Sequence, residues 1–142
     1  MKAYIINLKT SQNRRTYMEA LLVPYQDSLD IHFIEAVAGR EFSQEQLRSV
    51  WDQDGTFRIY GRYMRGGEIG CALSHRKCYE EFCKNGDEMA LIFEDDLSFQ
   101  DVDVEKIISV VSQELQTNKP MVILLSGDYW YINKSKSFPG IN

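Results

Sequence analysis

Apolar positions along the chain fall into two rhythms. Four short, unbroken apolar runs, Ala3–Leu8, Ile31–Val37, Met89–Phe93 and Met121–Leu125, have the length and continuity of strands covered on both faces. Between them the spacing changes to that of helices. Thr10 or Ser11 can cap a helix that shows Tyr17, Met18, Leu21 and Leu22 on one side and stops at Pro24. Ser43 and Gln46 fit a capping box ahead of Leu47, Val50 and Trp51. Gly66-Gly67 opens a helix from about Glu68 to Lys84, with Ile69, Ala72, Leu73, Tyr79, Phe82 and Cys83 as its apolar positions, and Asn85-Gly86 ends it. Val104, Ile107, Ile108, Val111 and Leu115 follow the period of one more amphipathic helix. The stretch Asp52–Gly67, rich in Gly, Arg and Tyr, has no periodicity and reads as a loop.

Strands alternating with helices four times imply an α/β fold, an open and mostly parallel sheet with helices on both faces. The length of 142 residues suits one domain spanning the whole chain. The last segment, residues 133–142, is a polar tail after a strand that would normally sit mid-sheet, so the sheet is expected to be incomplete on its C-terminal side. An open sheet edge of this kind leaves self-pairing into a homo-oligomer as an option.

Composition narrows the function classes. Charged residues at 26% and hydrophobic ones at 44% are ordinary for a globular chain. No apolar run reaches the roughly 20 residues of a membrane span, and the apolar N-terminus is too short for a secretory signal. The expectation is a soluble, cytoplasmic protein. A net charge of −5 argues against nucleic acid as a partner. The charge is uneven: residues 1–65 hold nine basic and eight acidic residues, and 66–142 hold seven and thirteen.

In open α/β sheets ligands bind beyond the carboxyl ends of the strands. Those positions here are Asn7, Lys9, Arg14 and Arg15 after the first run, Glu94-Asp95-Asp96 after the third, and Ser126, Gly127 and Asp128 after the fourth. The carboxylate triplet is the informative cluster. Alternation puts Glu94 and Asp96 on one side and Asp95 on the other, and two strand residues span about 6.6 Å, within reach of one cation. Adjacent carboxylates repel, and a hard divalent ion with oxygen ligands relieves that repulsion; a solvated acidic turn explains the same residues. Arg14 and Arg15 sit in the first turn of a helix, where a cation opposes the helix dipole and invites an anion such as a diphosphate; surface exposure is the plainer reading. Arg58, Arg62 and Arg65, interleaved with Tyr60 and Tyr63, suit a stacking loop or a solvated one.

Other constellations are weaker. Cys71, His75 and Cys78 share a helical face, but one helix cannot wrap a tetrahedral ion and no CxxC pair exists, so a zinc site is set aside. Ser74 beside His75 is a poor nucleophilic pair, because neighbouring helix residues point about 100° apart. The glycine cluster at residues 66–70 matches neither phosphate-loop pattern. Phosphatase and receiver-like domains place their key Asp after the first strand, where this chain has Asn7-Leu8-Lys9.

Three blocks taken together carry a resemblance: Ile5-Ile6-Asn7-Leu8 followed by Arg14-Arg15, then Gly67-Glu68-Ile69-Gly70-Cys71-Ala72-Leu73-Ser74-His75, then Ala90-Leu91-Ile92-Phe93-Glu94-Asp95-Asp96. Their order and spacing resemble glycosyltransferase family 25, the lipooligosaccharide and lipopolysaccharide galactosyltransferases of Gram-negative bacteria, over about residues 3–127. The resemblance implies a GT-A (Rossmann-like) fold, a UDP-sugar donor (most often UDP-galactose), Mn2+ or Mg2+ as cofactor, and a lipid-linked saccharide acceptor at the inner membrane face. It implies Asp96 and Glu94 at the metal, and Asn7, Arg14, Arg15, Ser74, His75, Glu94 and Asp95 around the donor. Family members are generally longer, and the later part supplies the usual catalytic base, so no catalytic residue is assigned. The alternative is a catalytically incomplete remnant, or a subunit completed by a partner.

Overall fold

The computed structural model describes residues 1–98, 104–116 and 119–125. The expected tail at 133–142, and Ser126, Gly127 and Asp128, lie outside the described residues. The chain divides into two compact units, Met1–Leu97 and Ser98–Asn142, and each is taken by itself.

The first unit is built on a parallel sheet of three strands, β1 (Lys2–Asn7), β2 (Asp30–Glu35) and β3 (Ala90–Glu94), in the order β2-β1-β3. The central strand is the most buried: Ala3, Tyr4, Ile5, Ile6 and Asn7 are all out of solvent. Because side chains alternate, Tyr4, Ile6, Ile34 and Ile92 share one face of the sheet, and Ile5, Phe33 and Phe93 share the other. Helix α4 (Gly66–Asn85) covers the first face: Cys78 forms a buried cluster with Tyr4 and Ile6, and Phe82, Ile34 and Ile92 pack against it. On the other face, the guanidinium of Arg15 in α1 (Gln12–Leu22) lies 4.2 Å from the centre of the Phe33 ring. Helices therefore flank both faces, as the α/β reading requires.

The chain between β2 and β3 carries two short helices, α2 (Gln44–Val50) and α3 (Gln53–Tyr60). The Ser43 capping box of α2 forms as expected, with the Ser43 hydroxyl accepting from Gln46 N–H and the Gln46 side chain accepting from Ser43 N–H. Helix α3 corrects the loop expected over Asp52–Gly67. Its ends are well marked: the Asp52 carboxylate accepts from Gly55 N–H at 2.8 Å, and Gly61 closes it at φ 67. Its buried positions, however, are the polar Gln53 and Thr56. Gln53 both donates to and accepts from the Met64 main chain, and Thr56 accepts from the Trp51 indole. A helix held by hydrogen bonds rather than an apolar face leaves no hydrophobic period to read.

Helix α4 begins where two backbones touch. A Cβ on Gly39 would collide with the Gly66 carbonyl oxygen, and one on Gly70 would lie 2.6 Å from the Val37 carbonyl oxygen. Glycine at these positions lets the first turns of α4 press against the chain leaving β2. At the N-terminus of α1, Ser11 occupies the cap position but its hydroxyl makes no capping bond; its carbonyl instead accepts from Arg15 N–H and from the Asn7 amide.

In the second unit, α5 (Val104–Glu114) buries Val104 and Val111, as its period predicts. The run Met121–Leu125 corrects the expected fourth buried strand. Among the described residues it joins no ladder, and Met121, Val122, Leu124 and Leu125 are exposed. An apolar run becomes a strand only when a neighbouring edge takes its N–H and C=O groups, and composition alone cannot supply that edge.

Candidate functional site

Parallel strands end at the same side of a sheet. The register Ile6↔Glu94 therefore sets Asn7 beside the acidic turn Glu94-Asp95-Asp96. Alternation persists through the turn: Glu94 is exposed, Asp95 is buried and Asp96 is exposed. The three carboxylates consequently meet different neighbours.

Asp95 is 9% exposed, and each of its oxygens accepts a bond of 2.7 Å, one from the Asn7 amide and one from the Arg14 guanidinium. Asn7 is buried too and also donates to the Ser11 carbonyl, so a single amide ties β1, the start of α1 and the end of β3. Arg14 carries its charge between Asp95 and Asp96, the latter at 3.7 Å, and the bond to Asp95 raises its pKa above the ordinary guanidinium value. About half of the Arg14 side chain remains exposed. Arg14 also lines a shallow cleft of about 290 Å³ with Thr10, Ser11, Gln12 and Asn13 at the N-terminus of α1. A larger hollow of about 480 Å³, lined by Met1 and residues 26–31, lies at the amino ends of β1 and β2, the end of an open α/β sheet away from where ligands bind. Arg15, expected near the donor, forms an ion pair with Glu19 and stacks on Phe33 instead of turning toward Asp95.

Glu94 turns to the opposite helix. One of its oxygens stands 3.3 Å from His75 Nε2 and 3.6 Å from Cys71 Sγ. Burial, and secondarily the charge of Glu94, push the Cys71 thiol above its usual pKa. Cys78, one of the three residues set aside as zinc ligands, is fully buried in the core, whereas Cys71 is exposed and His75 half-buried beside exposed Glu94. The grouping escapes sequence reasoning because Glu94 is 23 residues from Cys71 and arrives only through the β1–β3 register. The i, i+4 spacing of Cys71 and His75 is the one signal available. Ser74 lies inside: its hydroxyl accepts from Val37 N–H at 2.8 Å and donates to the Gly70 carbonyl at 2.6 Å. It thereby fixes α4 against the end of β2 and makes no contact with the carboxylates.

The start of α4 is braced by charge as well. Glu68 accepts two bonds from Arg62 and one from Arg65 N–H, and these hold its carboxyl down at about 2. Of the second basic group, Arg62 is therefore spoken for, and Arg58 lies 3.9 Å from Asp52. Phe57 and Tyr63 stack with ring centres 5.1 Å apart.

An open α/β sheet with polar and charged groups gathered at the carboxyl ends of its strands is the ligand-binding architecture of its class. Residues 1–138 match the family described as glycosyltransferase family 25 (LPS biosynthesis protein), and the chain belongs to that family. It is 28% identical over 138 residues to procollagen galactosyltransferase 1-A of Xenopus laevis, covering 95% of this chain and 21% of that protein. It is 36% identical over 100 residues to a glycosyltransferase 25 family member of Aedes aegypti, covering 68% of this chain and 16% of that one. A probable inactive glycosyltransferase 25 family member 3 of Rattus norvegicus is 28% identical over 141 residues, covering 97% of this chain and 23% of the relative. The chain thus spans about a fifth of the length of these curated relatives. Among the described residues, no helix is long and apolar enough to cross a membrane.

Proposed function

We propose that the chain carries the donor site of a hexosyltransferase that moves galactose from UDP-galactose to a lipopolysaccharide or lipooligosaccharide saccharide. The observation that carries this reading is the junction of β1, α1 and β3, where Asn7 and Arg14 hold Asp95 and leave Glu94 and Asp96 outward. Galactose is supported by the name of the Xenopus relative, and the acceptor by the description of the family. A lipid-linked acceptor places the work at the cytoplasmic face of an inner membrane.

The residues fit a hard divalent ion. Asp96 and Glu94, with side chains 65% and 55% exposed, offer carboxylate oxygens, the donor type that Mn2+ and Mg2+ prefer, while Arg14 has already matched the charge of Asp95. Asp96 and Glu94 would hold the ion, which when bound supplies the positive charge that stabilises a departing diphosphate. The chain's own groups do the rest. Arg14 offers a phosphate its exposed face, and the N–H groups opening α1 line the same cleft. Asn7 and Asp95 keep Arg14 in place. His75 stands against Glu94 on the α4 flank and would act through it, while Ser74 acts through the position of α4 and Arg15 through the sheet face it covers.

Titration calorimetry of UDP and UDP-galactose, with and without Mn2+, on wild type and Asp96→Ala tests this. Mn2+ is expected to tighten wild-type binding by about tenfold, some 1.4 kcal/mol, and to do nothing for Asp96→Ala. Equal affinity in all four cases overturns it.

The name of the Rattus relative favours a second reading, a donor-binding chain that transfers nothing without a partner. Transfer of labelled galactose to a lipooligosaccharide by the purified chain alone would reject that second reading.

A further inference from the structure

We propose that Cys71, His75 and Glu94 form a separate binding site for a borderline-soft divalent cation, with zinc as the natural occupant, on the α4 flank of the acidic turn. The three side chains come from two elements: Cys71 and His75 stand one turn apart on α4, and Glu94 ends β3. Their ligand atoms all lie within 4.8 Å of one another. Two of the three separations, those from Glu94, are those of ligands around a tetrahedral ion, and the third needs no more than a side-chain adjustment from within 4.8 Å. With bonds of about 2.3 Å to sulfur and about 2.0–2.2 Å to nitrogen and oxygen, the ligand atoms stand roughly 3.3–3.6 Å apart. The two separations from Glu94 Oε1 are 3.3 Å to His75 Nε2 and 3.6 Å to Cys71 Sγ.

As a hydrogen bond the His75–Glu94 contact is long, since N–H···O pairs ordinarily close to about 2.9 Å, whereas 3.6 Å is an ordinary length for the Cys71 thiol. Neither Glu94 nor Cys71 is buried, so packing does not hold them apart. The flank is nevertheless rigid where it matters. Ser74, between the two helical ligands, is locked to Val37 and Gly70, and the backbone contact at Gly39 fixes the turn before them.

A sulfur, nitrogen and oxygen donor set selects zinc and its neighbours over magnesium or manganese. Three protein ligands at an exposed position leave a fourth place for water or an incoming group. This site stands whether or not the chain transfers sugar, although Glu94 is common to both assignments, so the two ions compete for it.

Cobalt(II) titration of the full chain in a non-thiol reductant reads the site directly. One Co2+ per chain is expected, with a thiolate-to-metal charge-transfer absorption and the strong visible bands of four-coordinate cobalt, both bleached by Zn2+. Cys71→Ser should abolish the charge-transfer band, and His75→Ala should weaken binding tenfold or more. Cys83→Ser, which removes another exposed thiol, should change neither, and Asp96→Asn should leave the band in place. Absence of the charge-transfer band in wild type, or its survival in Cys71→Ser, overturns the proposal. So does loss of the band in Asp96→Asn with retention in Cys71→Ser, which would put the ion on the carboxylate turn.

Discussion

On the α1 flank of the acidic turn, Asp95 is buried and both of its oxygens are taken at 2.7 Å by Asn7 and Arg14. On the α4 flank, Glu94 is exposed and faces His75 and Cys71 at 3.3 and 3.6 Å. The two residues are adjacent in sequence and alike in chemistry, yet one is a buried strut and the other an exposed side chain with only longer contacts. Strand alternation decides which is which, by sending Asp95 inward to a buried amide and Glu94 outward to a helix surface. An acidic triplet is therefore not three equivalent ligands, and the comparison can be broken from either side.

The largest effect is expected from Gly39→Ala. Its Cβ would strike the Gly66 carbonyl, so α4 must shift, at a cost of about 3 kcal/mol. Urea unfolding measures the loss, and the α4 flank should lose its geometry while the Asn7–Asp95 bond on the other flank survives. A stability change under about 0.5 kcal/mol would show that the close approach is not needed.

Asp95→Ala comes next. It strands the buried Asn7 amide and removes the partner of Arg14, so destabilisation of about 2 kcal/mol is expected, against about 0.5 kcal/mol or less for Glu94→Ala. Equal losses in the two variants would erase the distinction between the flanks.

A smaller effect follows from acid. The Glu68 carboxyl is lowered in the folded chain from its ordinary 4.5 to about 2 by Arg62 and the Arg65 N–H. A depressed carboxyl stabilises the fold fully above its unfolded value, and that contribution fades as pH falls from about 4.5 toward 2. Wild type and Glu68→Gln should therefore differ in urea midpoint at pH 6 and converge toward pH 2. A constant difference would contradict the cause assigned to the shift.

Much of this arrangement was legible in the residue pattern. The β1 run, the span of α4 and the glycine at its end follow from hydrophobic period and turn chemistry, and the rule for open sheets pointed to Asn7, Arg14 and the triplet. What escaped was what periodicity does not encode. Helix α3 hides because Gln53 and Thr56 bury hydrogen bonds in place of apolar surface. Met121–Leu125 misleads because apolarity announces burial without naming a partner edge. Cys71 and Glu94 meet only through a strand register that no local spacing reveals, and Arg15 turned to Phe33 because the sheet face beside it offered an aromatic ring.

The most direct test is a crystal structure of the chain with Mn2+ and UDP. An Asp96 oxygen is expected within about 2.0–2.3 Å of the ion, Arg14 on the diphosphate, and Asp95 still bonded to Asn7. An ion held by Asp95, with Arg14 swung away and Asp96 left in solvent, would contradict it.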